Sequence, residues 1–253
     1  MTRVIGSYAI KGGVGKTATV VNLAYLAARE GAQTLIWDLD PQGAVSFYYR
    51  IKPDGGGGVK RLLLAKDRLR AAIRSTDYPN LDLLPADVSH RKFDRVLHGA
   101  EKPHRLIASR LASLAREYDY VFLDCPAGLS LLSESVLRAM DALIVPVIPT
   151  PLSLRTYRQL VEFLARKGSR DLLLLPFYSM CDRRKSLHGD IMARGLEGHT
   201  RALQAHVPYT VDVERMGVKR MPVDCYAGAS DAAAAYRDLW AEIKQHLYGR
   251  RRT

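Results

Sequence analysis

The sequence predicts a single α/β domain with a mostly parallel, twisted sheet and helices on both faces. Three observations lead there. Short apolar runs alternate with segments of helical periodicity along the 253 residues, the pattern of repeated strand–helix–strand units. A glycine-rich turn separates the first apolar run from the first helical segment. No internal repeat or linker divides the chain, so 1–253 reads as one domain, with a flexible basic tail at 249–253. A chain of this length can bury one substantial core, and its 47% apolar content is that of a globular protein.

The elements follow in order. Residues 4–10, 34–37, 81–84, 120–123, 142–147 and 172–177 read as strands, because each is a short apolar run bounded by polar or turn residues. Segments near 17–29, 104–117, 131–139, 152–166, 187–205 and 231–247 read as helices. Gly31 stands just past the first of these, as a C-cap would. Gly55 to Gly58 form a low-complexity spot, read as a mobile surface loop with no helix start behind it. No run approaches the roughly 20 apolar residues of a membrane span. Cys125, Cys181 and Cys225 are odd in number and widely spaced, with no metal-ligand spacing and no secretory segment before them. They read as reduced cytoplasmic thiols.

The segment Lys11-Gly12-Gly13-Val14-Gly15-Lys16-Thr17 carries the chemistry. A strand, a glycine turn and a helix in succession form a cradle for phosphate. Backbone N–H groups, the positive helix end and Lys16 converge on a triphosphate there. Thr17 would put its hydroxyl on Mg²⁺. The usual spelling has a glycine six residues before the lysine; here that position is Ile10, and a second lysine, Lys11, heads the loop. Asp124 closes the run 120–123 and so sits at the carboxyl end of a strand, where open α/β sheets bind ligands. A carboxylate there can hold a water of the Mg²⁺ shell. Asp38 and Asp40 end the second strand, where a plainer role in helix capping or in the turn before Pro41 is also open to them.

In this loop, in Val21-Asn22-Leu23-Ala24, in Trp37 to Gly43, in Val121 to Pro126 and in Pro146 to Leu154, the chain resembles the ParA/MinD family of deviant Walker A P-loop ATPases. The resemblance extends to Val207-Pro208 and to 228–239, so it spans nearly the whole chain. It implies ATP and Mg²⁺ as cofactors and ATP hydrolysis that is slow without a partner. ATP would be held over Lys11, Gly12, Gly13, Val14, Gly15, Lys16, Thr17 and Ala18, with Ser179, Met180, Asp182 and Pro208 near the base. Asp40 would orient or activate the attacking water. Asp38 would support the Mg²⁺ shell or the switch turn Pro41-Gln42-Gly43. Lys11 would reach the partner's nucleotide in a homodimer with ATP sandwiched between the subunits. A second cation beside Lys16 would be repelled within one subunit, and supply across an interface avoids that, in the manner of an arginine finger.

Lys and Arg number 38 against 26 Asp and Glu, a formal net charge of +12. This excess suggests a polyanionic partner. Basic residues cluster near Arg166, Arg183, Lys219 and Arg250 without regular aromatic interleaving, which favours non-specific contact with duplex phosphates. By resemblance, Arg183, Arg184, Arg215, Lys219 and Arg220 are the DNA contacts. One departure from the family stands at Asp212, where relatives often carry Arg; Arg215 is then the residue that compensates.

The resemblance therefore implies a cytoplasmic, nucleoid-associated ATPase that positions or segregates a cargo over DNA. The cargo would be a plasmid or chromosome centromere complex or a protein assembly, with a ParB-like or adaptor protein stimulating hydrolysis. The alternative is a MinD-like membrane-cycling regulator of division or flagellar placement. Its anchor would be the apolar stripe Tyr236, Leu239, Trp240, Ile243 and Leu247 with the basic tail. That stripe is of ordinary width and Asp231, Asp238 and Glu242 share its segment, which favours docking on the sheet. An electron-transfer ATPase bridging an iron–sulfur cluster would need two cysteines per subunit, and Cys125 has no suitable second.

Overall fold

All six apolar runs form strands of one seven-stranded sheet. A computed structural model describes residues 2–53, 58–114, 116–167, 171–196 and 201–249. The strands are β1 (Arg3–Ser7), β2 (Thr34–Asp38), β3 (Arg74–Ser75), β4 (Leu81–Leu84), β5 (Tyr120–Asp124), β6 (Ala142–Val147) and β7 (Leu173–Tyr178). Their order is β3-β4-β2-β5-β1-β6-β7, and all neighbours are parallel except β3 with β4.

The central strands are buried on both faces, which is why they read as unbroken apolar runs. In β5, Tyr120 and Phe122 enter one core while Val121 and Leu123 enter the other, as a period of two demands. The first core lies under the helices Lys16–Arg29 and Asp231–Tyr248. The second lies under Pro103–Leu114, Leu131–Leu137 and Pro151–Lys167.

The C-terminal stripe is part of the first core. Tyr236, Leu239, Trp240, Ile243 and Leu247 are all buried, and the Trp240 ring meets Tyr120 and Phe122 at 5.2 and 5.9 Å. Burial of each such side chain is worth about 1.5–3 kcal/mol. The helix docks on the sheet, as its mixed composition suggests. No helix of the described residues is long and apolar enough to cross a membrane.

Gly31 caps the first helix as expected. Its φ is +94°, its N–H donates to Ala28 O, and the N–H of Ala32 donates to Ala27 O, the paired bonds of a Schellman motif. Asn22 in that helix is a structural residue. Its Oδ1 accepts from Val223 N at 2.8 Å and its Nδ2 donates to Ala18 O, so the helix is tied to a segment about 200 positions later.

Several elements depart from the sequence reading. The helix expected at 187–205 is Ser186–Arg194, ended by Gly195 at φ +71°. Strand β3 and the short helices Ala44–Tyr48, Gly58–Leu64, Lys66–Ala71, Phe93–His98, Val211–Lys219 and Val223–Ala227 were not expected. Most span fewer than two turns, too short for periodicity to register. A helix does start at Gly58, against the expectation that none follows the glycine run; 54–57 and the tail 250–253 lie outside the described residues.

Candidate nucleotide and metal site

Register places the acidic residues. Because β5 lies between β1 and β2, Asp124 is level with Ser7 on one side and Asp38 on the other. The glycine loop leaves the end of β1, so it arches over the same carboxyl edge of the sheet. Strand β1 is flanked by β5 and β6, which continue to opposite sides of the sheet, and ligands of open α/β sheets lie at such a crevice.

Gly15 is the N-cap of the helix Lys16–Arg29, in the left-handed region at φ 97°, with no side chain capping the first turn. The leading amides of this 14-residue helix are therefore left for a ligand. Only glycine suits the position: a Cβ would strain the backbone and stand 2.9 Å from Ser179 Oγ. Gly13 is likewise left-handed at φ +70°. Lys16, at the helix start, is 7% exposed.

Thr17 Oγ1 donates to Asp124 Oδ2 at 2.8 Å. Asp124 is wholly buried and its second oxygen, Oδ1, has no partner. Burial, then the neighbouring Asp38, push its carboxyl well above the ordinary carboxylate range, partly opposed by the Thr17 hydroxyl and Lys16. A buried carboxylate with an orphan oxygen beside a hydroxyl is a donor set that fits a hard divalent cation and its water shell.

Asp38 is also fully buried. Its Oδ2 accepts from Ser46 N and Ser46 Oγ at 3.1 and 3.0 Å, and its Oδ1 accepts from Asp40 N at 3.3 Å. Asp38 thus caps the helix Ala44–Tyr48, the plainer of the roles open to it. Burial pushes its carboxyl up to about 7, and the Ser46 bonds hold it from rising further. Asp40 is half-buried; its Oδ1 accepts from Gln42 N at 2.9 Å and its carbonyl from Gly43 N at 2.9 Å. These bonds shape the turn 40–43, with Gly43 at φ +63°. Sequence reasoning missed Ser46 and Ser7. Ser7 Oγ is buried beside Asp124 without a partner. Nothing local marks either serine; the sheet register and the fold-back of the 44–48 helix bring them in.

The residues assigned to the base also converge. Cys181 pairs with Pro208 across an isolated parallel bridge, with Cys181 N bonded to Val207 O and Tyr209 N to Cys181 O. This brings Met180, Asp182 and Pro208 together, and Ser179 against Gly15. Met180 has φ +55°, rare for a side chain of its size. Lys11 is half-buried beside a narrow cleft lined by Ile10, Val14, Pro146 and Tyr157. Ala18 lies in the first helical turn.

The basic residues are more scattered in their engagements. Arg183 and Lys219 are exposed. Arg184 forks onto Asp182 through Nε at 2.9 Å and Nη2 at 3.0 Å, and this pair holds the Asp182 carboxyl down at about 2. Arg215 pairs with Asp212 at 3.5 Å. Arg220 lies over the Phe47 ring at 4.6 Å and donates to Phe47 O. So Asp212 draws on the same arginine that would compensate for it.

A family model described as an AAA domain matches residues 2–170. The chromosome partitioning protein ParA of Caulobacter vibrioides is 31% identical over 242 residues, covering 92% of this chain and 90% of its own. The sporulation initiation inhibitor protein Soj of Bacillus subtilis is 28% identical over 249 residues, covering 96% and 98%. The structure of cobyrinic acid a,c-diamide synthase from Mycobacterium smegmatis, with bound ATP analog and magnesium, aligns with a TM-score of 0.83 at 26% identity over 99% of this chain and 97% of that one. With the glycine cradle, the Thr17–Asp124 pair and the parallel sheet that joins them, these likenesses lead to one conclusion: the chain belongs to the ParA/MinD family of P-loop ATPases.

Proposed function

We propose that the protein is a Mg²⁺-dependent ATP hydrolase that dimerises around ATP, binds duplex DNA without sequence preference and positions a cargo on it. The observation that carries this reading is the Thr17–Asp124 hydrogen bond of 2.8 Å at the foot of an uncapped helix start. It puts a hydroxyl, a buried carboxylate and the positive end of a helix around one point, the arrangement a Mg²⁺–triphosphate needs.

In this reading Gly12 to Ala18 hold the phosphates through backbone amides and Lys16 neutralises the β and γ oxygens. Thr17 binds Mg²⁺ directly, Asp124 through water, and Asp38 supports that shell from behind. When bound, Mg²⁺ held by these residues would neutralise the negative charge of the phosphates. Asp40, at the mouth of the site, orients the attacking water with the carboxylate oxygen that does not shape its turn. Lys11 serves the partner's nucleotide. Met180, Asp182 and Pro208 flank the base.

Dimer formation would gather the basic residues of two subunits into one larger positive surface. Arg183, Arg184, Arg215, Lys219 and Arg220 make its contacts to DNA phosphates, and the protein resides on the nucleoid until a cargo-bound ParB-like or adaptor protein stimulates hydrolysis. The burial of the C-terminal apolar stripe counts against the membrane-cycling alternative.

Size-exclusion chromatography with ATP tests the core of the reading. The wild type should dimerise. Asp40→Ala should accumulate the ATP dimer with hydrolysis reduced at least about 100-fold, a typical cost of losing a water-positioning group. Undiminished hydrolysis in that variant would refute the Asp40 assignment. Liposome co-sedimentation against DNA retardation, both with ATP, separates the two readings.

A further inference from the structure

The end of β1 carries a buried hydroxyl that packing does not explain. Ser7 is 1% exposed, and its Oγ has no hydrogen-bond partner among the described residues. Val4, Ile5 and Gly6 before it carry no polar side chain. An unmet polar atom at this depth costs about 1–3 kcal/mol. Alanine would fill the same place without that cost, so the core alone does not call for a serine here.

Sheet register gives this hydroxyl one polar neighbour. Ser7 is level with Asp124 of β5 on one side and with Ile144 of β6 on the other. Side chains alternate along a strand, and level positions on parallel neighbours stand on the same face. Ile5, Phe122 and Ile36, each two residues before Ser7, Asp124 and Asp38, all enter the first core. Ser7, Asp124 and Asp38 therefore point to the face that the helix Lys16–Arg29 covers, in keeping with the bond from Thr17 Oγ1 to Asp124 Oδ2. Asp124 has the complementary deficit: its Oδ1 is buried and accepts from no donor among the described residues.

A donor without an acceptor thus stands beside an acceptor without a donor. The two strands run about 4.8 Å apart, so a staggered turn of either side chain puts Oγ and Oδ1 within hydrogen-bond reach. Thr17 holds the other carboxylate oxygen from the helix side, and Ser7 would hold Oδ1 from the strand side. A carboxylate gripped at both oxygens keeps one orientation, which a group that serves a divalent cation requires. A hydroxyl bonded to an ionised carboxylate is also roughly twice as strong a contact as one between neutral groups.

We propose that Ser7 is a positioning residue of the metal site: its hydroxyl donates to Asp124 Oδ1 and fixes the carboxylate that serves the Mg²⁺ shell. This rests on the reading of Thr17 and Asp124 as the Mg²⁺ site. Ser7 acts through Asp124 and bears on the metal rather than on the nucleotide, since it lies in the strand and ahead of the loop Lys11 to Thr17 that cradles phosphate.

A fluorescent, non-hydrolysable ATP analogue titrated into the full chain, once in Mg²⁺ and once in EDTA, tests this. The wild type should bind more tightly in Mg²⁺. In Ser7→Ala the affinity in EDTA should stay within about twofold of wild type, while the gain from Mg²⁺ shrinks at least about fivefold, the effect of losing one hydrogen bond to a charged group. The metal-free melting temperature of the variant should equal or exceed that of the wild type, because an unmet hydroxyl is removed. A Mg²⁺ gain that the substitution leaves unchanged overturns the role of Ser7 and leaves the metal site standing. An equal loss of affinity in EDTA, or a lower melting temperature, makes Ser7 a structural residue and overturns the proposal. No gain from Mg²⁺ in the wild type overturns the metal-site reading itself, and this proposal with it.

Discussion

The carboxyl edge of the sheet and the basic surface late in the chain are built on different principles. At the sheet edge, Lys16, Asp38 and Asp124 are buried and their places follow from strand ends and register. On the basic surface, positions are set by which exposed side chains happen to meet. Arg184 is clamped by Asp182, Arg215 by Asp212 and Arg220 by Phe47, while Arg183 and Lys219 are exposed and show no such clamp among the described residues. Charge placed by backbone architecture can be trusted residue by residue. Charge counted on a surface cannot, because neighbouring acids neutralise part of it at little cost.

The sharpest break between the two regions should come at Lys16. Lys16→Ala should lower affinity for a fluorescent ATP analogue by at least about 100-fold, since a buried cation facing several phosphate oxygens is lost. Retained affinity would mean that the loop is not the nucleotide cradle. Next in size is Lys11→Ala. Nucleotide binding by the monomer should stay within about threefold of wild type, while ATP-dependent dimers disappear from light-scattering profiles. A variant that still dimerises would remove the cross-subunit role.

The paired aspartates predict a pH effect on the metal-free protein. The folded-state pKa of Asp38 is raised from 3.8 to about 7, and that of Asp124 is also raised well above the ordinary carboxylate range, chiefly by burial. The folded state therefore holds protons that the unfolded chain releases. The resulting stabilisation is complete below pH 3.8 and is lost as pH rises through about 7. In EDTA, the melting temperature should fall between pH 6 and pH 8, by about 2–4 °C for each kcal/mol lost. Asp38→Asn should flatten this slope, and Mg²⁺ with nucleotide should abolish it by taking the place of the proton. A slope unchanged by either would show that the two carboxylates do not share the burden assigned to them.

The smallest effects belong to the basic surface. Arg183→Ala and Lys219→Ala should each weaken retardation of a random duplex by about two- to fivefold and reduce its salt dependence by about one ion. Arg184→Ala and Arg215→Ala should do less. Asp212→Ala should strengthen binding by freeing Arg215. Equal losses at all four basic positions would erase the distinction drawn between clamped and unclamped charge.

The carboxyl-edge site was largely legible because each of its parts is marked locally. Gly13 and Gly15 stand where the backbone is left-handed, and Asp124 follows a buried run directly. The turn around Asp40 is marked by Pro41 and Gly43. Ser46 was not legible, since its bond to Asp38 depends on a five-residue helix folding back over the strand end.

The amino-acid sequence by itself determined the α/β class, the six principal strands, the phosphate loop and the acids at the strand ends. Hydrophobic periodicity and glycine conformations are properties of neighbouring residues, and they act before any long-range contact forms. Only the tertiary structure decided that Asp124 lies between Ser7 and Asp38, that Ser46 holds Asp38, and which arginines are engaged by acids. Those relations depend on the lateral order of the strands and on the meeting of distant loops, where the deciding free energy comes from burying two cores at once.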